Sequence, residues 1–295
     1  MILALIQALR PKQWTKNLLV FVGVVFSLQL GHPEVVWRAA AGFLAFSLLA
    51  GSVYMLNDLR DIESDRKHPR KKKRPLASGR LPVGVAWGAL VPLVIAAIGL
   101  SWWLGPGFFT VAISYLLMNL AYSVWLKHQV LIDVFVVAIG FVLRAIAGVQ
   151  LMLPIAPETA LSKWLLVCTF FGALFLALAK RRREIENAGA NAGGQRAVLM
   201  HYSAPLLDGL LMVTASASLM SYALYTIWPG TVAKFGSEAL IYTVPLVAYG
   251  IFRYLYLTQA SEKSEDPSQV LLTDRPMGVC VLLYLLSVVL VLYRR

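Results

Sequence analysis

Residues 35–56 read VVWRAAAGFLAFSLLAGSVYML, and residues 57–65, NDLRDIESD, follow at once. The first segment is close to the ~20 apolar residues that cross a bilayer as a helix. The second segment carries three aspartates and one glutamate within nine residues. An apolar segment that ends directly in acidic residues predicts a membrane helix with a polar site at one end.

Apolar segments of similar length recur along the chain, which predicts an all-α polytopic membrane protein. Hydrophobic residues make up 59% of the 295 residues and charged residues only 14%, whereas soluble proteins carry about 25% charged residues. We expect one domain, residues 1–295, with nine transmembrane helices. The predicted spans are 18–30, 36–56, 82–104, 107–125, 130–152, 161–179, 206–228, 238–258 and 277–293.

The basic residues are distributed unevenly between the two ends of these spans. Of 27 lysines and arginines, 20 lie at the N-terminus, at Lys127 and in the loops 57–80, 180–205 and 259–276, and five lie on the other side. By the positive-inside rule the rich side is cytoplasmic. We therefore expect a cell (inner) membrane protein with its N-terminus inside and its C-terminus outside. The net charge of +12 then reflects orientation, and we expect no nucleic-acid partner.

The acidic segment has the composition of a magnesium site. At ~100° per residue, Asn57, Asp61 and Asp65 fall on one face of a helix, with Asp58 at its edge. Mg²⁺ takes carboxylate, water and phosphate oxygens together. We predict that these four residues bind the metal and that the three aspartates are catalytic. The alternative is a solvated acidic helix end that the basic run Arg66–Arg74 neutralises.

The acidic segment and several other motifs resemble the UbiA-type membrane transferase superfamily along nearly the whole chain. NDLRDIESD, followed by RPLASG at 74–79, looks like its first Asp-rich motif, and nine helices in a UbiA-like bundle fit that superfamily. Further motifs narrow the resemblance to the branch of decaprenyl-phosphate phosphoribosyltransferases. These are RPKQWTKN at 10–17, RAIAG at 144–148, LSKW at 161–164 and KR at 180–181.

This resemblance implies Mg²⁺-dependent transfer of 5-phosphoribose from phosphoribosyl diphosphate to a polyprenyl phosphate such as decaprenyl phosphate, with release of diphosphate at the cytoplasmic face. Prenyl-transferring members usually carry a second Asp-rich motif after span six. Here residues 180–205 contain no aspartate and open with KRRRE. This difference counts against the alternative, a prenyltransferase that joins a polyprenyl chain to an aromatic acceptor. A non-enzymatic lipid carrier is a third hypothesis, which leaves the clustered aspartates unexplained.

Polar side chains near the cytoplasmic edge, and one inside a span, are the predicted substrate-binding residues. They are Lys16, Asn17, Arg66, Arg74, Tyr122, Lys127, Arg144, Lys180 and Arg181. For Lys180 and Arg181 the alternative is a positive-inside anchor at the end of span six.

Other members of this set have structural alternatives too. A charge inside a span, as at Arg144, costs at least ~2.5–3.5 kcal/mol and should face a cavity or a partner. Phosphate binding and a partner on another helix both remain open for it. Tyr122 and Lys127 resemble a tyrosine–lysine element of the superfamily, or form an aromatic-belt tyrosine with a snorkelling lysine. A homo-oligomer is a further expectation.

Overall fold

The protein is helical throughout the residues that the structure describes. The computed structural model describes residues 1–26, 28, 31–67, 71–156, 162–188, 197–260 and 273–293, and none of these is in a β-strand. The α-helices are α1 Ile2–Ala8, α2 Leu19–Phe26, α3 Pro33–Arg60, α4 Ile62–Lys67, α5 Val83–Leu104, α6 Pro106–Val124, α7 Ile132–Gln150, α8 Lys163–Ala188, α9 Ala204–Ile227, α10 Pro229–Phe235, α11 Val244–Ala260 and α12 Arg275–Tyr293. Short 3₁₀ helices join them, among them Pro11–Leu18 and Ala239–Thr243.

Eight of the described helical segments are long and apolar enough to cross a membrane. They are Pro33–Arg60, Val83–Leu104, Pro106–Val124, Ile132–Gln150, Lys163–Asn187, Ala204–Ile227, Ala239–Thr258 and Arg275–Tyr293. The all-α polytopic fold is thus confirmed, and these segments correspond to eight of the nine predicted spans.

The remaining predicted span, 18–30, is not confirmed as a crossing helix. Its described part is α2, which has only eight residues and continues the 3₁₀ helix Pro11–Leu18. Residues 27, 29 and 30 lie outside the described part of the chain. Eight residues at 1.5 Å per residue cover about 12 Å, well under the ~30 Å hydrocarbon core. The count of nine therefore stays a prediction.

The helix starts follow local chemistry. Proline opens α3 and α6, where its missing N–H would have no helical partner in any case. Ser203 precedes α9, and its hydroxyl accepts a hydrogen bond from the Leu206 backbone N–H at 3.3 Å. These signals set where the spans begin and therefore which residues lie at their ends.

The chain divides into two compact units. The first comprises Met1–Lys127 and Leu143–Ala160, and the second comprises His128–Val142 and Leu161–Arg295. In the first unit, Phe46 on α3 packs against Phe108 and Tyr115 on α6, with ring centroids 5.6 and 5.2 Å away. In the second unit, α8 and α9 form most of the core, with Leu178 and Leu207 almost fully buried.

A close backbone approach fixes α2 against the end of α7 within the first unit. A Cβ atom on Gly148 would lie 2.2 Å from the carbonyl oxygen of Val20, so only glycine fits there. Because the backbones touch, the polar residues one turn away on each segment, Asn17 and Arg144, come within hydrogen-bonding distance. The fold thereby brings together two residues that are far apart in the sequence.

The basic segment 180–183, expected to open a loop, is instead helical. α8 continues to Ala188, beyond the predicted end at residue 179. Arginine, glutamate and alanine are good helix formers, and i,i+3 or i,i+4 pairs with Glu184 and Glu186 support the extra turns. The membrane span and the basic segment therefore form one continuous helix.

Candidate functional site

The acidic segment sits where α3 ends, in the first unit. α3 ends at Arg60, Asp61 leaves the helix with φ −100° and ψ 12°, and α4 begins at Ile62. The expected single helix face is therefore interrupted at Asp61. Aspartate side chains compete for backbone hydrogen bonds and so weaken a helix interior. Two hydrogen bonds link the helices across this break: the Asp61 N–H bonds to the Asn57 carbonyl at 3.0 Å, and the Asp65 N–H bonds to the Asp61 carbonyl at 2.8 Å.

One arginine joins two of the three aspartates. Nη1 of Arg74 donates to Oδ1 of Asp58 at 3.0 Å and to Oδ2 of Asp65 at 2.7 Å. Both aspartates are buried, Asp58 with 3% and Asp65 with 2% of its surface exposed. Arg74 itself is part exposed, so this bridge lies at the edge of a partly open surface.

A compact turn positions Arg74. Its N–H bonds to Lys71 and its carbonyl accepts from Ser78, both at 2.9 Å. The following Leu76 is buried in an apolar cluster with Met55 and Leu59 of α3. The RPLASG motif thus anchors the turn to the same helix that carries Asp58.

Arg10 is a site residue that the sequence-based prediction missed. Its Nη2 donates to Oδ1 of Asp58 at 2.6 Å, and its guanidinium carbon lies 4.8 Å from the ring centre of Tyr54. Its backbone has φ 53° and ψ 64°, in the left-handed region that non-glycine residues rarely adopt. The available sequence signal was its place at the start of RPKQWTKN, 48 residues from its carboxylate partner.

The third aspartate has a different neighbour. Nζ of Lys127 lies 4.0 Å from Oδ2 of Asp61, whose side chain is 43% exposed. Arg66 pairs instead with the exposed Glu63 at 3.0 Å, through an i,i+3 contact. The structure thus brings Asp58, Asp65 and Arg74 together, and Asp61 with Lys127. Of the other predicted residues of this unit, Asn57, Lys16 and Tyr122 are half-buried.

Arg144 lies in a buried polar network of the first unit. Its Nε donates to Oδ1 of Asn17 and its Nη2 to the hydroxyl of Tyr115, both at 2.7 Å. The amide of Asn17 in turn donates to Oγ of Ser47 at 3.1 Å. Two predicted substrate-binding residues, Arg144 and Asn17, therefore contact each other. Neighbours on other segments supply the partner that a charge inside a span needs.

Arg181 belongs to a buried network of the second unit. Its Nε donates to Oδ2 of Asp133 at 2.7 Å, and its Nη1 is bonded to Glu184. Arg181 is 3% exposed and Asp133 is fully buried. A phosphate-binding role for Arg181 would require it to give up these bonds, and this role stays a prediction. Lys180 is more open, with 42% exposure and its Nζ 3.9 Å from Glu184.

Tyr202 completes this network. Its hydroxyl donates to Oδ1 of Asp133 at 2.6 Å and accepts from the Leu131 backbone N–H at 2.8 Å. Leu131 has φ 66°, another left-handed backbone. Burial, followed by the hydrogen bond to Asp133, raises the pKa of Tyr202, so it stays protonated as a donor. No local sequence pattern pointed to this long-range contact.

The acidic segment fits a hard divalent cation in its donor chemistry. In the described residues, no group of three or more His, Cys, Asp or Glu side chains is arranged to hold a metal ion. The donors themselves are suitable, because Asp58, Asp61 and Asp65 supply only carboxylate oxygens and Asn57 supplies an amide oxygen. One nitrogen of Arg74 already contacts the carboxylates of Asp58 and Asp65. A divalent cation could take the place of this nitrogen between the two carboxylates.

These features define a polytopic α-helical membrane protein with a partly open acidic and basic site at the end of α3. The chain belongs to the UbiA prenyltransferase family, whose family model matches residues 18–273.

Two proteins and one solved structure are similar to this chain over most of its length. The decaprenyl-phosphate phosphoribosyltransferase of Mycolicibacterium smegmatis is 32% identical over 291 residues, which cover 95% of this chain and 90% of that protein. The protein of the same name from Corynebacterium glutamicum is 34% identical over 299 residues, which cover 98% of this chain and 86% of that protein. A UbiA homolog from Archaeoglobus fulgidus, solved with GPP and Mg²⁺, superposes with a TM-score of 0.72 at 19% identity, covering 98% of this chain and 99% of that chain. This last likeness supports the fold.

Proposed function

We propose that this protein transfers 5-phosphoribose from phosphoribosyl diphosphate to a polyprenyl phosphate such as decaprenyl phosphate, releasing diphosphate. Relatives named for that activity are 32–34% identical over nearly the full chain. The structural observation that carries the proposal is the meeting of Asp58, Asp65 and Arg74 at a buried, charged helix end. Such a mixed site suits a substrate that arrives as a metal-bound polyphosphate.

Asn57, Asp58, Asp61 and Asp65 would hold Mg²⁺. Bound there, the ion supplies charge stabilisation for the diphosphate leaving group. The protein's own task is to hold these carboxylates together before the ion binds, and Arg74 does so through its bridge between Asp58 and Asp65. Asp61 is the most accessible of the three aspartates, with 43% of its side chain exposed.

Basic side chains of the first unit would bind phosphate oxygens. Arg74, Arg66 and Lys127 contact the acidic segment. These three residues and Lys16 are half-buried or exposed, so donor phosphates can reach them. Arginine binds phosphate with two parallel hydrogen bonds, and lysine acts as a point charge.

Other predicted residues complete the proposed set. Tyr122 would add a hydroxyl donor two residues before the end of α6. Arg144, oriented by Asn17 and Tyr115, is proposed as a deeper phosphate ligand. Lys180 and Arg181 remain the proposed phosphate ligands of the second unit.

The acceptor needs little activation by the protein. A phosphate monoester has a second pKa near 6 and is largely ionised near neutral pH. Its oxygen can attack the anomeric carbon as the diphosphate departs, and attack from the opposite face inverts the configuration. Positioning and electrostatic stabilisation therefore carry the catalysis.

We further propose that residues 1–295 act as one transferase domain in the inner membrane, with Asp58 facing the cytoplasm. The uneven distribution of lysine and arginine supports this orientation. In a variant without Cys168 and Cys280, Lys72→Cys should react with a membrane-impermeant maleimide only after the membrane is permeabilised. Labelling of Lys72→Cys in intact cells by the same maleimide would show that the protein has the opposite orientation. A homo-oligomer stays a prediction.

The donor choice can be tested by thermal unfolding of the purified protein in detergent with Mg²⁺. Phosphoribosyl diphosphate at 100 times its Kd should stabilise the protein by about 2.7 kcal/mol, whereas a prenyl diphosphate should have no comparable effect. Inorganic diphosphate with Mg²⁺ serves as the control for unspecific polyphosphate binding. Stabilisation by prenyl diphosphate alone would favour the aromatic prenyltransferase instead.

A further inference from the structure

We propose that Arg10, together with Arg74, is a counterion switch: both neutralise the aspartates before the substrate arrives, and both bind donor phosphate oxygens afterwards. This inference rests on the proposed function. Its new element is Arg10, which competes with Mg²⁺ for Asp58 in the free protein and binds the donor in the loaded one.

The geometry at Asp58 creates the competition. Arg10 and Arg74 both donate to the same oxygen, Oδ1, at 2.6 and 3.0 Å. A carboxylate oxygen offers two lone-pair sites, so these two bonds fill that oxygen. A metal ion can take Oδ1 only if at least one guanidinium leaves it.

Charge balance indicates that the arginines leave the aspartates only when the donor phosphates are there to bind them. Asp58, Asp61 and Asp65 face Arg10, Arg74 and Lys127, so three carboxylates meet three cations. A divalent ion added to this balanced set would be repelled by the guanidiniums at short range. A donor that brings several phosphate charges gives each displaced arginine a new anionic partner.

Arg10 is built to stay near the site when it releases Asp58. Its N–H bonds to the Gln7 carbonyl at 3.1 Å, and its own carbonyl accepts from Gln13 at 2.8 Å. The Tyr54 ring, 4.8 Å from the guanidinium carbon, gives the cation a second contact. The side chain is 27% exposed, so a phosphate can approach it from outside. The backbone is fixed while the charged end can change partner.

The test is to measure metal and donor binding separately in Arg10→Gln. Without donor, Mn²⁺ binding followed by the EPR signal of the free ion should tighten by about tenfold, because one competing charge is gone. With saturating Mg²⁺, the Kd of phosphoribosyl diphosphate should rise by roughly ten- to hundredfold, because a charged hydrogen bond to phosphate is lost.

Matched variants separate this effect from a structural one. Arg60→Gln removes an exposed arginine at the end of α3, and it should change neither constant. Arg10→Lys keeps the charge without the planar fork, so its donor Kd should fall between those of wild type and Arg10→Gln. If Arg10→Gln fails to fold, the donor Kd of Arg10→Lys is the test, and a wild-type donor Kd in that variant overturns the proposal.

Tighter Mn²⁺ binding together with weaker binding of phosphoribosyl diphosphate in Arg10→Gln supports the proposal. Weaker or unchanged Mn²⁺ binding in Arg10→Gln overturns it, because Arg10 would then help the metal or ignore it. If both ligands bind to wild type and Arg10→Gln changes neither dissociation constant, the inference about Arg10 fails and the proposed function stands. If wild type binds no phosphoribosyl diphosphate in saturating Mg²⁺, the proposed function fails with it.

Discussion

Asp58→Asn should lower phosphoribosyl transfer by at least about 10²–10³-fold, the usual loss when an electrostatic group at the reacting centre is removed. Asparagine keeps the size of the side chain but removes the charge that holds Arg10 and Arg74. Asp61→Asn should cause a similar loss of turnover with little change in stability, because its side chain is 43% exposed. Steady-state rates of the purified variants in detergent measure both effects.

Glu63→Gln is the matched control for these two variants. Glu63 lies in the same acidic segment, but its side chain is 81% exposed and pairs with Arg66 through a surface contact. Its rate should stay within about twofold of wild type, because exposed ion pairs contribute little. Wild-type turnover in Asp58→Asn, or full activity in EDTA, would refute the metal role of the acidic segment.

Asp133→Ala is expected to destabilise the protein by about 3–5 kcal/mol, because the buried guanidinium of Arg181 would lose a buried partner. Tyr202 would lose its acceptor in the same change. Thermal or denaturant unfolding in detergent measures the loss. Asp208→Ala is the control, since Asp208 pairs with Arg182 at 2.8 Å but is 47% exposed. We expect it to cost about 1 kcal/mol or less.

The double variant Asp133→Leu with Arg181→Met separates stability from phosphate binding. Replacing both members of a buried ion pair with apolar residues is often neutral or stabilising, so most of the lost stability should return, even though Tyr202 still lacks its acceptor. If donor affinity recovers as well, Arg181 is a structural residue and leaves the proposed phosphate set. An Asp133→Ala protein as stable as wild type would contradict a stabilising role of the buried network.

The membrane spans were predictable because a bilayer fixes their length. The predicted span 82–104 and the observed α5, Val83–Leu104, differ by one residue. The first span could not be judged in the same way, because its described helix, α2, has only eight residues, and residues 27, 29 and 30 lie outside the described part of the chain. The continuation of α8 to Ala188 was missed because charge suggested a loop where helix propensity and i,i+4 pairs favour a helix.

The candidate site was predictable where its members are close in sequence. Asp58, Asp65 and Arg74 lie within 17 residues, and the acidic and RPLASG motifs identify them together. The contacts of Arg10 with Asp58 and of Arg144 with Asn17 join residues 48 and 127 positions apart. No local pattern encodes such pairs, because they depend on how α1, α2, α3 and α7 pack. The same holds for the burial of Arg181 against Asp133.

The most direct test of the proposed reaction is radiolabelled transfer from phosphoribosyl diphosphate to decaprenyl phosphate in detergent micelles with Mg²⁺. We expect label from the ribose phosphate in the lipid fraction with wild-type protein, at least about 10²-fold less with Asp58→Asn, and none in EDTA. If no label reaches the lipid while a prenyl diphosphate alkylates an aromatic acid, the protein is an aromatic prenyltransferase and the proposed phosphoribosyl transfer is wrong.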